Sequence, residues 1–282
     1  MRLLVFGKTG QVATELQRQA DVLALGRDEA DLSDPAACAA IIRDSNADAV
    51  INAAAYTAVD KAEEEEALAT VINGDAPTEM AKAAAARKIP FLHISTDYVF
   101  DGKGQQPWKP TDAPSPANAY GRSKLVGEEG VRSAGGNFAI LRTSWVFSSH
   151  GANFVKTMLR LSETRDTLQV VDDQIGGPTS AADIADALLT MAKAMIGGQQ
   201  GGVFHFSGAP AASWKDFATE IFLQAGRLID VVGIPTTEFP TPAVRPLNSR
   251  MDCSDLDRQF GIRTPEWRLS LARVLSELEA GG

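Results

Sequence analysis

Leu3-Leu4-Val5-Phe6-Gly7-Lys8-Thr9-Gly10-Gln11-Val12-Ala13 opens the chain and decides its fold. Apolar residues in a row, without polar alternation, read as a parallel strand covered on both faces. A Gly-rich turn follows, and Glu15-Leu16-Gln17-Arg18 then reads as helix. Gly7 allows the tight turn, Gly10 lets the backbone approach a diphosphate, and Ala13 permits close helix–strand packing. The start of such a helix offers unpaired N–H groups to phosphate. The spacing is Gly-x-x-Gly-x-x-Ala rather than Gly-x-Gly-x-x-Gly, and a plain strand–turn–helix would fit it too. Its place directly after a first strand favours a dinucleotide site.

Outward from this turn, strands and helices alternate. Val22 to Leu25 is a second strand ending in Gly26-Arg27, where an acidic residue would indicate NAD. Glycine leaves room for a 2′-phosphate and Arg27 can pair with it, so NADPH is expected, with NADH possible. Asp31 and Leu32 are placed to flank an adenine. Asp34-Pro35 starts a helix. Asp48 to Asn52 is a third strand, and the small residues Ala53, Ala54 and Ala55 at its exit let a ligand lie against the backbone, with Tyr56 and Thr57 continuing into that mouth. Residues 71–87 are expected to form a long helix opened near Asn73. Ile89 to Ser95 is a fourth strand delivering Thr96, Asp97 and Tyr98, and Phe138 to Phe147 a fifth. The predicted fold is α/β, a Rossmann-like doubly wound parallel sheet. The run Glu63-Glu64-Glu65-Glu66 reads as a solvated helical face. After Phe147 the pattern loosens, with helices expected at 153–160, 181–195, 213–225 and 269–279.

A loop rich in Pro and Gly, from 102 to 118, leads into Tyr120-Gly121-Arg122-Ser123-Lys124. On a helix, Tyr120 and Lys124 at i and i+4 share a face and reach one cleft. A phenol is a poor proton donor at neutral pH, and a nearby ammonium favours the phenolate and lowers its pKa toward the working range.

The chain's 282 residues, 44% hydrophobic and 22% charged, suffice for one large or two smaller domains. A net charge of −9 argues against a nucleic-acid surface. Cys38 and Cys253 offer neither a disulfide framework nor metal spacing. The N-terminal apolar run is short for a signal peptide and no run is long enough to span a membrane, so a cytoplasmic chain with no membrane partner is expected.

The Gly-rich turn, Asn52-Ala53-Ala54-Ala55-Tyr56-Thr57-Ala58-Val59-Asp60, Ser95-Thr96-Asp97-Tyr98-Val99-Phe100, Tyr120-x-x-x-Lys124, Arg142-Thr143-Ser144-Trp145, Asn153-Phe154-Val155-Lys156, Asp173-Gln174-Ile175-Gly176-Gly177-Pro178-Thr179 and Arg245-Pro246-Leu247-Asn248-Ser249-Arg250 stand in an order that resembles the dTDP-4-dehydrorhamnose reductase family of the extended short-chain dehydrogenases/reductases. The likeness runs almost end to end. It implies reduction of the 4-keto group of a dTDP-sugar by NADPH, and two domains interleaved in sequence. Residues 1–147 with about 174–202 would bind the dinucleotide, and about 148–173 with 203–282 the sugar nucleotide. It implies Tyr120 as proton donor, Lys124 as its partner and a ribose contact, and Thr96 as the group orienting the keto oxygen. Gly10, Gln11 and Val12 would lie on the diphosphate, and Ala55, Tyr56 and Thr57 would line the cofactor and sugar mouth. Asp97 and Trp145 would contact the sugar, and Asn153, Lys156, Gln174 and Arg245 the nucleoside diphosphate.

Some members of that family form a magnesium-dependent dimer through glutamates. Glu15 matches the first, but Ala182 stands where they carry another, and the tail ends at Gly281-Gly282, shorter than theirs. No bound magnesium is therefore expected, and a monomer or a weak homodimer. A nucleotide-sugar 4,6-dehydratase would need a second acid after Thr96-Asp97, where Tyr98 stands; a 4-epimerase would retain NAD. A non-catalytic NADP-binding subunit, like the regulatory subunit of methionine adenosyltransferase, is the other alternative, against which intact Tyr120, Lys124 and Thr96 weigh.

Overall fold

The apolar runs at Leu3, Ala49, Phe91 and Phe138 become central strands because both of their faces find cover, while Val22–Leu25, half-exposed, takes an edge. In the computed structural model, which describes residues 1–280 and leaves Gly281-Gly282 outside the described residues, β1 (Leu3–Phe6), β2 (Val22–Leu25), β3 (Ala49–Asn52), β4 (Phe91–Thr96) and β5 (Phe138–Thr143) join the strand Gly202–His205 in one parallel sheet. The order across it is Gly202–His205, β5, β4, β3, β1, β2. Alternate residues go to opposite faces. Leu3, Val5, Ala49 and Ile51 pack under α1 (Gln11–Gln19) and, later in the chain, the helix Ala181–Ile196. Leu4, Phe6 and Val50 pack on the other side against α2 (Pro35–Asp44) and α4 (Ala76–Ala86), with α3 (Glu66–Thr70) between them in sequence. Two covered faces make the sheet doubly wound. A third core holds Phe147, Val155, Leu168, Phe217 and Trp267, between the helices Phe154–Leu161, Trp214–Gln224 and Trp267–Ala280 and a two-stranded parallel ribbon, Thr167–Val171 with Asp230–Ile234.

Several expectations are corrected. The fifth strand does not run unbroken to Phe147. It stops at Thr143, Trp145 turns the chain with φ of 49°, and Val146–Phe147 pairs instead with Thr179–Ser180. The long helix at 71–87 is a π-helical turn, Val71–Asp75, running into α4. That turn frees Asn73, whose amide accepts from Tyr56 N (2.8 Å) and donates to Tyr56 O and Ser123 Oγ (both 3.0 Å). Gly202–His205 is the edge strand of the main sheet, and Leu256 of the helix Ser254–Phe260 is buried in the main core. Nor is the acidic run merely solvated: Glu63 accepts from Ala119 N (2.8 Å), Glu65 from the Tyr56 hydroxyl (2.8 Å), and Glu66 grips Arg122 (2.7 and 2.8 Å).

Beneath the sheet's carboxyl edge lies a buried ion pair. Glu128 of α5 (Ala119–Ser133) and Arg142 of β5 are each 1% exposed and joined by two bonds, 2.9 and 2.6 Å. Ser95 Oγ donates to the same carboxylate at 2.6 Å. Arg142 reaches Pro110 O (3.4 Å) and His205 Nε2 (3.3 Å), and lies over the Phe100 ring. His205 Nδ1 donates to Trp108 O at 2.9 Å, and Trp108 stacks on Phe100. Burial of both charges is tolerated because every facing group is satisfied. Among the described residues, no helix is long and apolar enough to cross a membrane.

Candidate active site

The carboxyl ends of β1, β3, β4 and β5 open into one cleft of about 690 Å³, the place where open α/β sheets take ligands. Gly7 turns the chain at φ 106°, and a Cβ there would stand 3.3 Å from the backbone of Ala53 and Ala54. Gly10 precedes α1 with no side-chain cap, so the helix's first N–H groups face the cleft without a partner from the cap residue. Gly7, Gly10, Gln11, Val12, Arg27, Asp31, Leu32, Ala53, Ala54, Ala55, Tyr56 and Thr57 all line it. This is a cradle that fits a dinucleotide: backbone on one side, small side chains on the other. At its rim the Arg27 guanidinium lies 3.3 Å from Asp31 and Lys8 Nζ 3.2 Å from Glu29. Both cations are exposed and available to an anion.

Deeper in, Thr96, Asp97, Tyr120, Lys124 and Trp145 line the same cleft. Asn118 caps α5 by accepting from Gly121 N (2.8 Å), which sets Tyr120 in the first turn and Lys124 one turn on. The Tyr120 ring meets Tyr98 edge to face, centroids 5.5 Å apart. Thr96 Oγ1 donates to Asp97 Oδ1 at 3.1 Å and accepts from Tyr98 N at 3.2 Å. Asp97 is 3% exposed and its other oxygen has no partner, as is true of the Thr143 and Ser249 hydroxyls. Burial, only partly offset by the nearby Ser249 hydroxyl, which stops short of a full hydrogen bond, and by Thr96, pushes its carboxyl up to about 6. Trp145, bent in by its positive φ, stacks on Trp214 with centroids 3.7 Å apart. Gly176 makes room for it, since a Cβ there would fall 2.7 Å from Trp145 Cε2.

The expected lysine–tyrosine relation is corrected. Lys124 Nζ donates to Ile94 O at 2.7 Å and abuts His93 Nε2 at 3.3 Å. Burial pulls its pKa down to about 8, against Glu128. Tyr120 is pushed up, first by burial and then by the Asp97 charge, with Thr96 opposing. In this arrangement the phenol holds its proton.

The four residues expected on the nucleoside diphosphate are not among those lining this cleft. Asn153 caps the helix Phe154–Leu161 and donates to Gln11 Oε1 (3.1 Å) and Ser148 O (2.8 Å). Lys156 Nζ donates to Ser149 O at 3.3 Å. Gln174 accepts from Trp214 Nε1 and donates to Thr236, both at 3.1 Å. Arg245 pairs with Asp60 at 2.6 Å, close to Tyr98. Reading the sequence missed Tyr98 and Thr143 as cleft residues; both follow from their places, beside Asp97 and at the end of β5.

Near Glu15, folding supplies a carboxylate the sequence did not reveal, Glu277. With His150 these offer three atoms within 4.8 Å of one another. Arg18 lies among them, donating to Glu15 at 2.9 Å and to Glu277 at 3.0 and 3.2 Å. Two carboxylates sharing one guanidinium, with an imidazole as third donor, do not suit an ion that demands an oxygen octahedron.

The chain matches the RmlD substrate binding domain family over residues 1–280. It is 48% identical to a dTDP-4-dehydrorhamnose reductase of Sinorhizobium fredii, covering 98% of this chain and 97% of the relative. Its structure resembles a dTDP-4-dehydrorhamnose reductase of Clostridium acetobutylicum at 37% identity, with a TM-score of 0.93 over 99% of this chain and 100% of the other. A second such reductase, from Bacillus anthracis in complex with NADP, gives 34% identity and a TM-score of 0.91 over 98% and 99%. With motifs, cleft and whole-length likeness in agreement, the chain belongs to the dTDP-4-dehydrorhamnose reductase family.

Proposed function

We propose that the protein uses NADPH to reduce the 4-keto group of dTDP-4-dehydro-β-L-rhamnose to dTDP-L-rhamnose, the last step in making that sugar nucleotide. The observation that carries this is the meeting of Tyr120, Thr96 and Lys124 with the Gly-rich cradle in one cleft. Gly7, Gly10, Gln11, Val12 and Ala53 to Ala55 would hold the dinucleotide, with Arg27 toward a 2′-phosphate. NADPH supplies the hydride when bound. Thr96 orients the keto oxygen, and Tyr120, protonated at neutral pH, gives it the proton. Lys124 balances the phenolate left behind. Asp97 and Trp145 position the sugar ring. The chain divides functionally into the dinucleotide-binding sheet and a smaller sugar-nucleotide part built around the third core, in which Asn153, Lys156, Gln174 and Arg245 shape the entrance. The protein acts in the cytoplasm without nucleic acid, membrane or magnesium, as a monomer or weak homodimer. The test is NADPH oxidation with dTDP-4-dehydrorhamnose, set beside related nucleotide keto sugars. Turnover with that substrate supports the reading, whereas cofactor binding without turnover would instead indicate a binding subunit.

A further inference from the structure

Behind Lys124 stands a chain of side chains that the catalytic reading does not use. Asn52 and His93 are directly paired across β3 and β4, both fully buried. Asn52 Oδ1 accepts from the backbone N–H of Ala54 at 3.2 Å. A backbone N–H can only donate, so this bond fixes which way the amide faces. Asn52 Nδ2 is then the atom 3.1 Å from His93 Nδ1, and it donates. His93 Nδ1 must offer a lone pair. A neutral imidazole carries one N–H, so the proton sits on Nε2. Burial and the neighbouring Lys124 both keep this ring from taking a second proton. Its Nε2–H therefore points at Lys124 Nζ, 3.3 Å away.

An N–H aimed at an ammonium is donor against donor, but aimed at a neutral amine it is a hydrogen bond. We propose that His93, its tautomer locked by Asn52, is a positioning residue that holds Lys124 in a state from which its proton is easily lost. The other titratable groups around this site are Tyr120 and Glu128 on the lysine's own helix, Asp97 in the same cleft, and Arg142 of β5 behind Glu128. Glu128 favours the ammonium, and burial disfavours it. His93 adds a directional influence, and its sign is set two residues away, by the Ala54 amide. This rests on the reading that Lys124 and Tyr120 work together in turnover.

Asn52→Asp tests it. A carboxylate can still accept from Ala54 N, but it also accepts from His93, which draws the ring proton to Nδ1 and turns the Nε2 lone pair toward Lys124. The ammonium is then favoured, and the alkaline limb of the kcat/KM–pH profile should rise by roughly one unit. His93→Gln, which can present an oxygen to Nζ, should move the limb the same way. A purely structural role would lower kcat and leave the limb in place, and an unmoved limb in folded Asn52→Asp overturns the proposal. Long-range ¹H–¹⁵N correlation spectra of ¹⁵N-histidine-labelled wild type decide it without any variant. Nε2 should be the protonated nitrogen of His93, and a protonated Nδ1 overturns the proposal. Because this readout needs no turnover, a failed role for Lys124, seen as full activity in Lys124→Met, remains distinguishable from a failed role for His93.

Discussion

Asp97→Asn should make the protein more stable and less active. Asp97 is 3% exposed with one oxygen unpartnered, and burial lifts its carboxyl from 3.8 to about 6. A buried acid with a raised pKa binds its proton more tightly folded than unfolded. Stability is therefore fullest below the unfolded pKa and falls as pH rises through the folded value. A shift of about two units, at ~1.4 kcal/mol each, amounts to ~3 kcal/mol lost by neutral pH. Asparagine is nearly the same shape and carries no charge to desolvate. The variant should exceed wild type by about 2–3 kcal/mol at pH 8, with the advantage shrinking between pH 6 and pH 4. Guanidinium unfolding followed by fluorescence at several pH values measures this. No gain at pH 8, or a gain that persists undiminished at pH 4, would refute the reasoning. A gain paired with a fall in kcat/KM is the pattern of a site that trades stability for function.

Four further outcomes are expected. Tyr120→Phe should lose about 10²–10⁴ in kcat while binding NADPH normally by fluorescence titration; near-normal turnover would remove the phenol from proton transfer. Arg27→Ala should raise KM for NADPH but not NADH, and an unchanged NADPH value would take Arg27 out of the site. Gly176→Ala should raise KM for the sugar nucleotide more than it lowers kcat, because the new methyl would press on Trp145; unaltered steady-state constants would show that the ring can yield. EDTA should change neither sedimentation nor activity, while a dimer that dissociates on chelation would mean that carboxylates hold an ion despite Arg18.

The sheet was legible because parallel strands buried on both faces read as unbroken apolar runs, as in Leu3–Phe6. The cleft was legible in part because its Gly-rich turn and Tyr–Lys pair are local patterns. What escaped the sequence depends on distant partners. Phe138 to Phe147 reads as one strand, yet Trp145 leaves the sheet to stack on Trp214, a contact 69 residues along the chain that no local pattern reports. Arg245 and Asp60 lie far apart in the sequence, and only the fold pairs them. His93 is a single polar residue in an apolar strand, and only its register with Asn52 gives it a role.

The Pro- and Gly-rich loop between β4 and α5 has the composition of a flap, but Arg142 forbids it that freedom. The guanidinium is satisfied only while Pro110 O, Glu128 and His205 stay in place, and Trp108 is further laced to the C-terminal segment through Arg250 O and Asp252 N. Lifting the loop would take Pro110 O from the buried Arg142 and Trp108 O from the buried His205, so the segment should open only when the sheet itself opens. The amide hydrogens of Trp108 and Asp252 should then exchange with deuterium as slowly as those of β4 and β5. Exchange within seconds would show the loop to be free. Whatever moves to admit a sugar nucleotide, this loop is then not the part that moves.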